Sequence, residues 1–166
     1  MSMSYEPATH FTELRSELLE LPRTECLILL RRTHFGRLAV SRGEGAPIVR
    51  PLNYVFDPRS QSVVFRTAEG TKLHGLLRAK EAAFEIDGIE PGGHTGWSVV
   101  VTGVAEEVTI PSEIRRLDKL GLEVWAPGPR SHWLRVRART VSGRRIVAVA
   151  EQRDPRLDHK LIQAEA

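Results

Sequence analysis

The sequence contains a single cysteine, Cys26, among its 166 residues. One cysteine excludes an internal disulfide and a multi-cysteine zinc site, and it suits a reducing compartment. Long apolar runs are also missing, since none approaches the roughly 20 residues of a membrane span. The opening stretch MSMSYEPATHF lacks the charged start and apolar centre of a signal peptide. These absences predict a cytoplasmic protein with no membrane partner.

A strong charge of one sign is missing as well. The 24 Lys and Arg residues against 21 Asp and Glu residues give a net charge of +3, and the arginines are spread over nearly every predicted element. Nucleic-acid binders usually gather their basic residues into a patch. A small anionic ligand is therefore at least as plausible as a polyanion, and we predict no nucleic-acid partner. The six histidines show no metal-ligand spacing, so no metal site is predicted.

What the sequence does contain is a succession of short β-like segments. Residues 1–150 are predicted to form one domain, with 1–11 as a loose arm and 151–166 as a tail. The pattern predicts helices over 12–21, 23–32 (with Thr24 as N-cap), 71–79 and 111–122. It predicts strands over 36–42, 48–57, 62–67, 81–87, 97–110, 132–141 and 144–150. Short strands joined mostly by hairpins favour a small six-stranded antiparallel barrel over a parallel sheet.

One polar, cationic segment stands between a buried strand and a helix. It reads FRTAEGTKL over residues 65–73. Backbone N–H groups at a helix start favour an anion, and Thr67 and Thr71 add hydroxyl donors while Arg66 and Lys72 add positive charge. This is a general way of holding a phosphate. The alternative is that Thr71 only caps the helix and Lys72 is only solvated.

Six segments together resemble the pyridoxamine 5′-phosphate oxidase superfamily, the flavin-binding split barrels, and in particular its small bacterial members. In chain order they are GRLAV, RPLNYVFD, VVFRTAEGTKL, AAFEID, GWSVVVTGVAEEVT and HWLRVRARTVSGRRI. The resemblance covers residues 24 to 147. It implies a mainly β protein with flanking helices, a six-stranded antiparallel split β-barrel that forms a homodimer with two FMN sites at the interface.

The resemblance also implies roles for individual residues. Arg50, Leu52 and Asn53 match a strand that runs along the flavin, and Thr67, Thr71 and Lys72 match the phosphate-binding turn. This turn is one residue shorter than in the oxidases, and Arg66 is expected to supply the missing charge. Groups expected from the partner subunit are Trp97, Ser98, Trp133 and an arginine at 144 or 145, of which Arg145 is preferred.

The resemblance fails at the substrate side. Val55 stands where the oxidases have a substrate-binding lysine, and TVSGRR (140–145) stands where they have a histidine-containing arginine motif. We therefore predict an FMN-dependent oxidoreductase of an unidentified small molecule rather than a pyridoxamine phosphate oxidase. No catalytic side chain is assigned, because the flavin carries the redox chemistry. The alternatives are a non-catalytic flavin- or haem-binding protein and a deazaflavin (F420)-dependent reductase. Arg130, Arg135 and Arg137 could supply the cations for the longer acidic tail of a deazaflavin, although arginines on an exposed strand face explain them equally simply.

Overall fold

The computed structural model describes residues 15–42, 45–68, 70, 81–92 and 94–149. The predicted arm (1–11), tail (151–166) and helix (71–79) lie outside the described residues. The described residues include two helices, α1 (Arg23–Arg32) and α2 (Pro111–Leu117), and a 3-10 turn (Asp118–Leu120) follows α2. The strands are β1 (Arg15–Glu20), β2 (Phe35–Arg42), β3 (Gly45–Asn53), β4 (Val55–Asp57), β5 (Ser62–Thr67), β6 (Glu81–Ile89), β7 (Gly96–Val108) and β8 (His132–Val149).

The strands form one antiparallel sheet. Its order is β3-β2-β6-β7-β8-β5-β4, and β1 pairs separately with β8. The prediction of a mainly β, antiparallel protein with flanking helices is confirmed. The described residues form eight strands, where the sequence predicted seven strand segments and a six-stranded barrel, and no ladder among the described residues joins β3 to β4. Closure into a barrel therefore stays a prediction.

The last strand was wrongly predicted as two. β8 continues through Ser142 and Gly143, pairing with β7 over most of its length, with β5 at its start and with β1 at its end. A Ser-Gly pair normally indicates a turn. Here a Cβ on Gly143 would lie 2.7 Å from the Cys26 sulfur and 3.0 Å from the Ser98 carbonyl oxygen. Glycine is present because α1 and β7 approach the strand closely.

The predicted helix over 12–21 is also wrong, because residues 15–20 form β1. Every residue of β1 is exposed, so its apolar spacing does not reflect a buried helix face. The strand forms because Arg15–Glu20 complete the free edge of β8, in register from Arg15 opposite Val149 to Glu20 opposite Arg144. Tertiary pairing overrides the local preference here.

Helix α1 covers one side of the main core. The Cys26 and Leu30 side chains of α1 are fully buried in this core. The helix begins after Pro22, which makes no side-chain cap, so the prediction of Thr24 as N-cap is wrong.

Tyr54, between β3 and β4, donates its hydroxyl hydrogen to the Leu30 carbonyl at 3.0 Å and lies 2.6 Å from the Thr33 hydroxyl. Burial raises the pKa of Tyr54 to about 12, despite the opposing bond to Thr33, so Tyr54 stays protonated and fastens α1 to the sheet.

A second, smaller core packs α2 against β4, β5 and β8. It contains Val55, Val64, Val108, Leu117 and Trp133. Beside it the Asp57 carboxylate, only 1% exposed, takes a two-pronged ion pair from Arg116 of α2 at 2.9 and 2.7 Å. This pair fixes α2, and with it the start of the loop that leads to β8.

No helix in the described part of the chain is long and apolar enough to cross a bilayer.

Candidate functional site

A cavity of about 640 Å³ opens where the ends of β3 and β5 meet the loop before β8. We call it the arginine cavity. Five of its lining residues are predicted cofactor residues, namely Arg50, Leu52, Asn53, Arg66 and Thr67. The other six are Phe35, Pro51, Val124, Trp125, Ala126 and Arg130. The structure thus brings together the two strand ends that the sequence singled out.

Strand pairing explains why these residues meet. Phe35 at the start of β2 lies opposite Asn53 at the end of β3, so both side chains stand at one edge of the sheet. Thr67, the last residue of β5, lies opposite His132, the first residue of β8. The loop that carries Trp125 and Arg130 runs directly into that end of β8. The outer edge of β3 has no ladder partner in the described sheet, which leaves backbone groups there for a ligand.

Arg66 is the most informative residue of the arginine cavity. Its guanidinium carbon lies 5.2 Å from the centre of the Trp133 ring, in a cation–π arrangement. Its Nε is buried and has no hydrogen-bond partner among the residues that the structure describes. Buried polar groups are nearly always bonded, and an exception calls for an explanation. An anion in the cavity would supply the missing acceptor.

Arg130, which lines the same cavity, also has a buried nitrogen without a partner. Its Nε makes no hydrogen bond to any of the described residues. Together with Arg50 it brings the number of cationic lining residues to three, and no carboxylate is among the described residues that line the cavity. The arginine cavity is therefore suited to a ligand with one or more negative groups.

Trp133 does not reach the arginine cavity itself. It is 2% exposed, belongs to the second core, and donates its Nε1 hydrogen to Asp118 at 3.0 Å. Trp133 instead packs against the guanidinium of Arg66, which lines the cavity. Within this chain Trp133 is therefore a core residue.

The other predicted residues of the long strand lie in a separate place. Trp97 and Ser98 line a cavity of about 340 Å³ with His94 and Arg144, which we call the Trp97 cavity. The Trp97 ring packs so closely on Gly88 that a Cβ there would lie 2.7 Å from the indole. Arg145 is not among the described residues lining this cavity; it pairs with Glu25 of α1 at 2.8 Å. Of the two arginines considered, Arg144 is the one that lines the cavity.

The phosphate-binding turn is described only in part. The chain is placed up to Ala68, and Gly70 has a left-handed φ of +69°, a conformation that glycine adopts readily. Thr71 and Lys72 lie outside the described residues. Their predicted contact with the phosphate stays a prediction.

Phe35 and Trp125 are the two aromatic cavity residues that the sequence did not single out, since Phe35 begins a strand and Trp125 belongs to an irregular loop. Arg130, in the same loop, was considered only as a cation for the acidic tail of a deazaflavin. The signal that could have found the loop residues is an aromatic and a basic residue within VWAPGPR, a proline- and glycine-rich stretch. Loops of this kind often carry binding residues on a rigid scaffold.

The histidines contribute no metal centre in the part of the chain that the structure describes. No group of three or more His, Cys, Asp or Glu side chains there is placed to hold a metal ion. His132 lies 2.7 Å from the Glu107 carboxylate at the edge of the sheet. His94 lines the Trp97 cavity rather than the arginine cavity.

Comparison with known proteins places the chain among flavin-related proteins. A family model described as pyridoxamine 5′-phosphate oxidase matches residues 22–145. An uncharacterised protein of Mycobacterium tuberculosis is 36% identical over 138 residues, which are 80% of this chain and 88% of the relative.

Two solved structures are similar in both sequence and fold. A protein described as FAD-binding from Mycobacterium smegmatis is 34% identical, with a TM-score of 0.66 over 76% of this chain and 98% of that one. A protein described as FAD-binding from Mesorhizobium loti is 25% identical, with a TM-score of 0.65 over 77% of this chain and 97% of that one.

Proposed function

This chain belongs to the pyridoxamine 5′-phosphate oxidase family, and on that premise we propose that it binds a flavin and uses it in a redox reaction of a small molecule. The observation that carries the proposal is the buried, unpartnered Nε of Arg66 in the arginine cavity. A flavin phosphate would supply the acceptor that this nitrogen lacks. The cofactor that we expect from the resemblance is FMN, and the two similar FAD-binding proteins support a flavin of either kind, since FAD contains the whole of FMN.

The described residues fit such a cofactor. Arg66 and Arg50 offer charge, Thr67 offers a hydroxyl at the end of β5, and Leu52 and Pro51 give the cavity an apolar wall along β3. The unpaired outer edge of β3 offers backbone groups to the polar rim of a planar ring. When bound, the flavin supplies the hydride and electron chemistry, and the protein binds, orients and tunes it.

We further propose that the site is completed in a homodimer. Trp97, Ser98 and Arg144 line a different cavity of the same chain, so these groups reach a flavin in the arginine cavity only from the partner subunit. Leu18, Ile89 and Ile146, which also line the Trp97 cavity, are 59%, 75% and 44% exposed. Exposed apolar side chains gathered at one place are typical of an interaction surface.

Oxidation of pyridoxamine phosphate is not the activity that we propose. Val55 is 8% exposed and packs in the second core with Val64 and Leu117, so a side chain at this position points away from the arginine cavity. Residues 140–145 lie within the continuous strand β8 and include no histidine. The substrate-binding lysine of the oxidases thus has no counterpart at position 55, and the histidine of their C-terminal motif has none within 140–145.

The test is an absorption spectrum of the purified chain before and after addition of FMN, followed by addition of NADH or NADPH without oxygen. Flavin bands that stay with the protein through gel filtration, and that bleach on reduction, are expected. Flavin that binds but is not reduced by either nucleotide would favour a non-catalytic binding protein. A Soret band would favour haem, and a protein that binds only a deazaflavin would favour the F420-dependent alternative.

A further inference from the structure

Two stacked aromatic rings form part of the arginine cavity. The rings of Phe35 and Trp125, which we call the stacked pair, have their centres 5.6 Å apart and are inclined by only 11°. Both residues line the cavity, and both are open to solvent, at 43% and 67% exposure. A flat apolar face left uncovered beside a binding cavity is suited to stacking against another planar ring.

Trp125 is held against the sheet before any ligand arrives. Its backbone N–H donates to the Oδ1 of Asn53 at 3.2 Å, and the Nδ2 of Asn53 donates to the His34 carbonyl at 3.5 Å. Asn53 therefore anchors the loop residue to the edge formed by β2 and β3. A surface that is already in place loses less entropy when its ligand binds.

Arg130 supplies a positive charge in the same loop as Trp125. Its Nε is buried and has no hydrogen-bond partner among the described residues, and none of the described residues that line the cavity is a carboxylate. The phosphate of the proposed flavin is assigned to Arg66, so Arg130 needs an acceptor from another molecule. A guanidinium is planar and pairs well with a carboxylate. An aromatic acid therefore offers both a ring for the stacked pair and an acceptor for the Arg130 nitrogen.

The stacked pair and Arg130 come from other elements than the proposed flavin contacts. Phe35 begins β2, and Trp125 and Arg130 belong to the loop before β8, whereas the flavin is proposed to lie along β3 and the end of β5. A cofactor that stays bound is normally enclosed, while a molecule that enters and leaves in each turnover needs a face open to solvent. The exposure of the stacked pair therefore favours the molecule that exchanges, which is the substrate.

We propose that Phe35, Trp125 and Arg130 form a substrate subsite, and that the substrate of the flavin reaction is a planar aromatic carboxylate. Its ring stacks on the stacked pair, and its carboxylate accepts a hydrogen bond from the Arg130 Nε. A phosphorylated ring is less suitable, because position 55 lacks the lysine and residues 140–145 lack the histidine found in the oxidases. This inference rests on the proposed flavin function and adds the class of substrate to it.

Four probes test the class of ligand. The full-length chain is titrated in a calorimeter, with and without FMN, against 2-naphthoate, its neutral amide, its saturated decahydro analogue and 2-naphthyl phosphate. With FMN present, we expect the amide to bind at least about tenfold more weakly than 2-naphthoate, because a hydrogen bond to a charged group is lost. The saturated analogue should bind about fivefold more weakly, since it cannot stack. The phosphate ester should bind no more tightly than 2-naphthoate.

Variants of the subsite test the residues. Trp125→Ala should weaken 2-naphthoate about tenfold and leave the Kd of FMN unchanged, and Trp125→Phe should keep most of the affinity. Arg130→Gln should reduce the affinity for 2-naphthoate to that for its amide, because the charge that separates the two probes is gone. Arg115→Gln on the exposed side of α2 is the matched control, and it should change neither Kd.

Equal affinities of the wild-type chain for 2-naphthoate and its amide, or no binding of either with FMN present, would overturn the subsite and leave the flavin proposal standing. Loss of FMN and 2-naphthoate by the same factor in Trp125→Ala would also overturn it, since the stacked pair would then serve the cofactor. Tighter binding of 2-naphthyl phosphate would overturn the choice of a carboxylate. A chain that binds no flavin, but takes 2-naphthoate with the same dependence on Trp125 and Arg130, would support the subsite and overturn the flavin proposal.

Discussion

Arg66 packs on an aromatic ring and has a buried nitrogen without a partner. Its guanidinium carbon lies 5.2 Å from the centre of the Trp133 ring, and its Nε has no hydrogen-bond partner among the described residues. We expect Arg66→Gln to weaken flavin binding about tenfold or more, because a charge-assisted bond to the phosphate is lost. The flavin affinity of Arg66→Lys should lie between those of wild type and Arg66→Gln, since lysine keeps the charge and loses the planar contact with the indole. Flavin titration measures both.

The control for this prediction is Arg139→Gln. Arg139 makes an exposed ion pair with Glu81 at 3.0 Å, on another part of the sheet. Its replacement should leave the Kd of the flavin unchanged. An Arg66→Gln chain that binds flavin as tightly as wild type would contradict the phosphate assignment.

Asp57 makes stability depend on pH. Burial alone would raise the pKa of this carboxyl, but the bonds from Arg116, Ser60 and the Arg59 amide outweigh it and lower the pKa. A lowered folded-state pKa stabilises the protein above the unfolded value, near 4, and this stabilisation is lost as the pH falls through the folded value. Asp57→Asn should cost about 3 kcal/mol at neutral pH, and its difference from wild type should shrink in acid.

Urea unfolding across a pH series measures this effect. Asp87→Asn is the matched control, because Asp87 pairs with Arg37 at the surface with 41% of its side chain exposed. Exposed pairs contribute little, so the control should cost less than about 1 kcal/mol. Equal stabilities of Asp57→Asn and wild type at neutral pH would show that the buried pair is not what holds α2.

At the scale of single residues, the sequence predicted the cavity residues of β3 and β5, and it did not place the residues of the loop before β8 beside them. Arg66 and Thr67 end a clear apolar strand, so their place at the end of that strand follows from the local pattern. Trp125 and Arg130 belong to a loop whose position depends on Asp57 and Arg116 holding α2 and on Asn53 bonding the Trp125 amide. None of these long-range contacts has a local signal.

The bulge between β7 and β8 leaves no room for a side chain at Gly103. The register moves from Thr102 opposite Thr140 to Gly103 opposite Ala138, which leaves Arg139 as the extra residue. A Cβ on Gly103 would lie 1.9 Å from the Arg137 carbonyl oxygen. We expect Gly103→Ala to cost about 3 kcal/mol, since the strands must separate to accept it.

Thermal or urea unfolding tests this cost. The neighbouring Thr102→Ala is the control, because Thr102 is exposed and makes only a surface hydrogen bond to Thr140. It should cost less than about 1 kcal/mol. A Gly103→Ala chain as stable as the control would mean that the strands adapt without loss.

At the scale of elements, prediction succeeded for a strand that is buried and failed for one that is exposed. β5 was predicted with its observed bounds, because almost every residue in it is buried between β4 and β8. β1 is exposed throughout and is a strand only because β8 offers a free edge. Gly143 was interpreted as a turn residue because the contact that requires a glycine there is not local. That contact is with Cys26, more than a hundred residues away in the chain.

The whole molecule presents an apolar surface that a single chain leaves uncovered. Ile89 is 75% exposed beside the Trp97 cavity. If the proposed dimer covers this surface, Ile89→Lys should give a folded monomer whose flavin binding is weakened at least about tenfold, because a buried charge at an interface is costly. Light scattering after gel filtration measures the mass, and circular dichroism checks the fold.

Ile110→Lys is the control for the dimer. Ile110 is 54% exposed and precedes α2, outside the described lining of the Trp97 cavity. Its replacement should leave both mass and flavin binding unchanged. A wild-type chain that is monomeric and still retains flavin would contradict the shared site.

The length of β8 has a consequence for how the sequence can change. The strand is in register with β7, β5 and β1 along different parts of its 18 residues. Inserting or deleting one residue within it would shift every later side chain to the opposite face of the sheet. The neighbouring loop over 121–131 carries no such register. Homologues are therefore expected to differ in length before β8 and to keep the spacing within it, so ligand preference can diverge while the sheet stays the same.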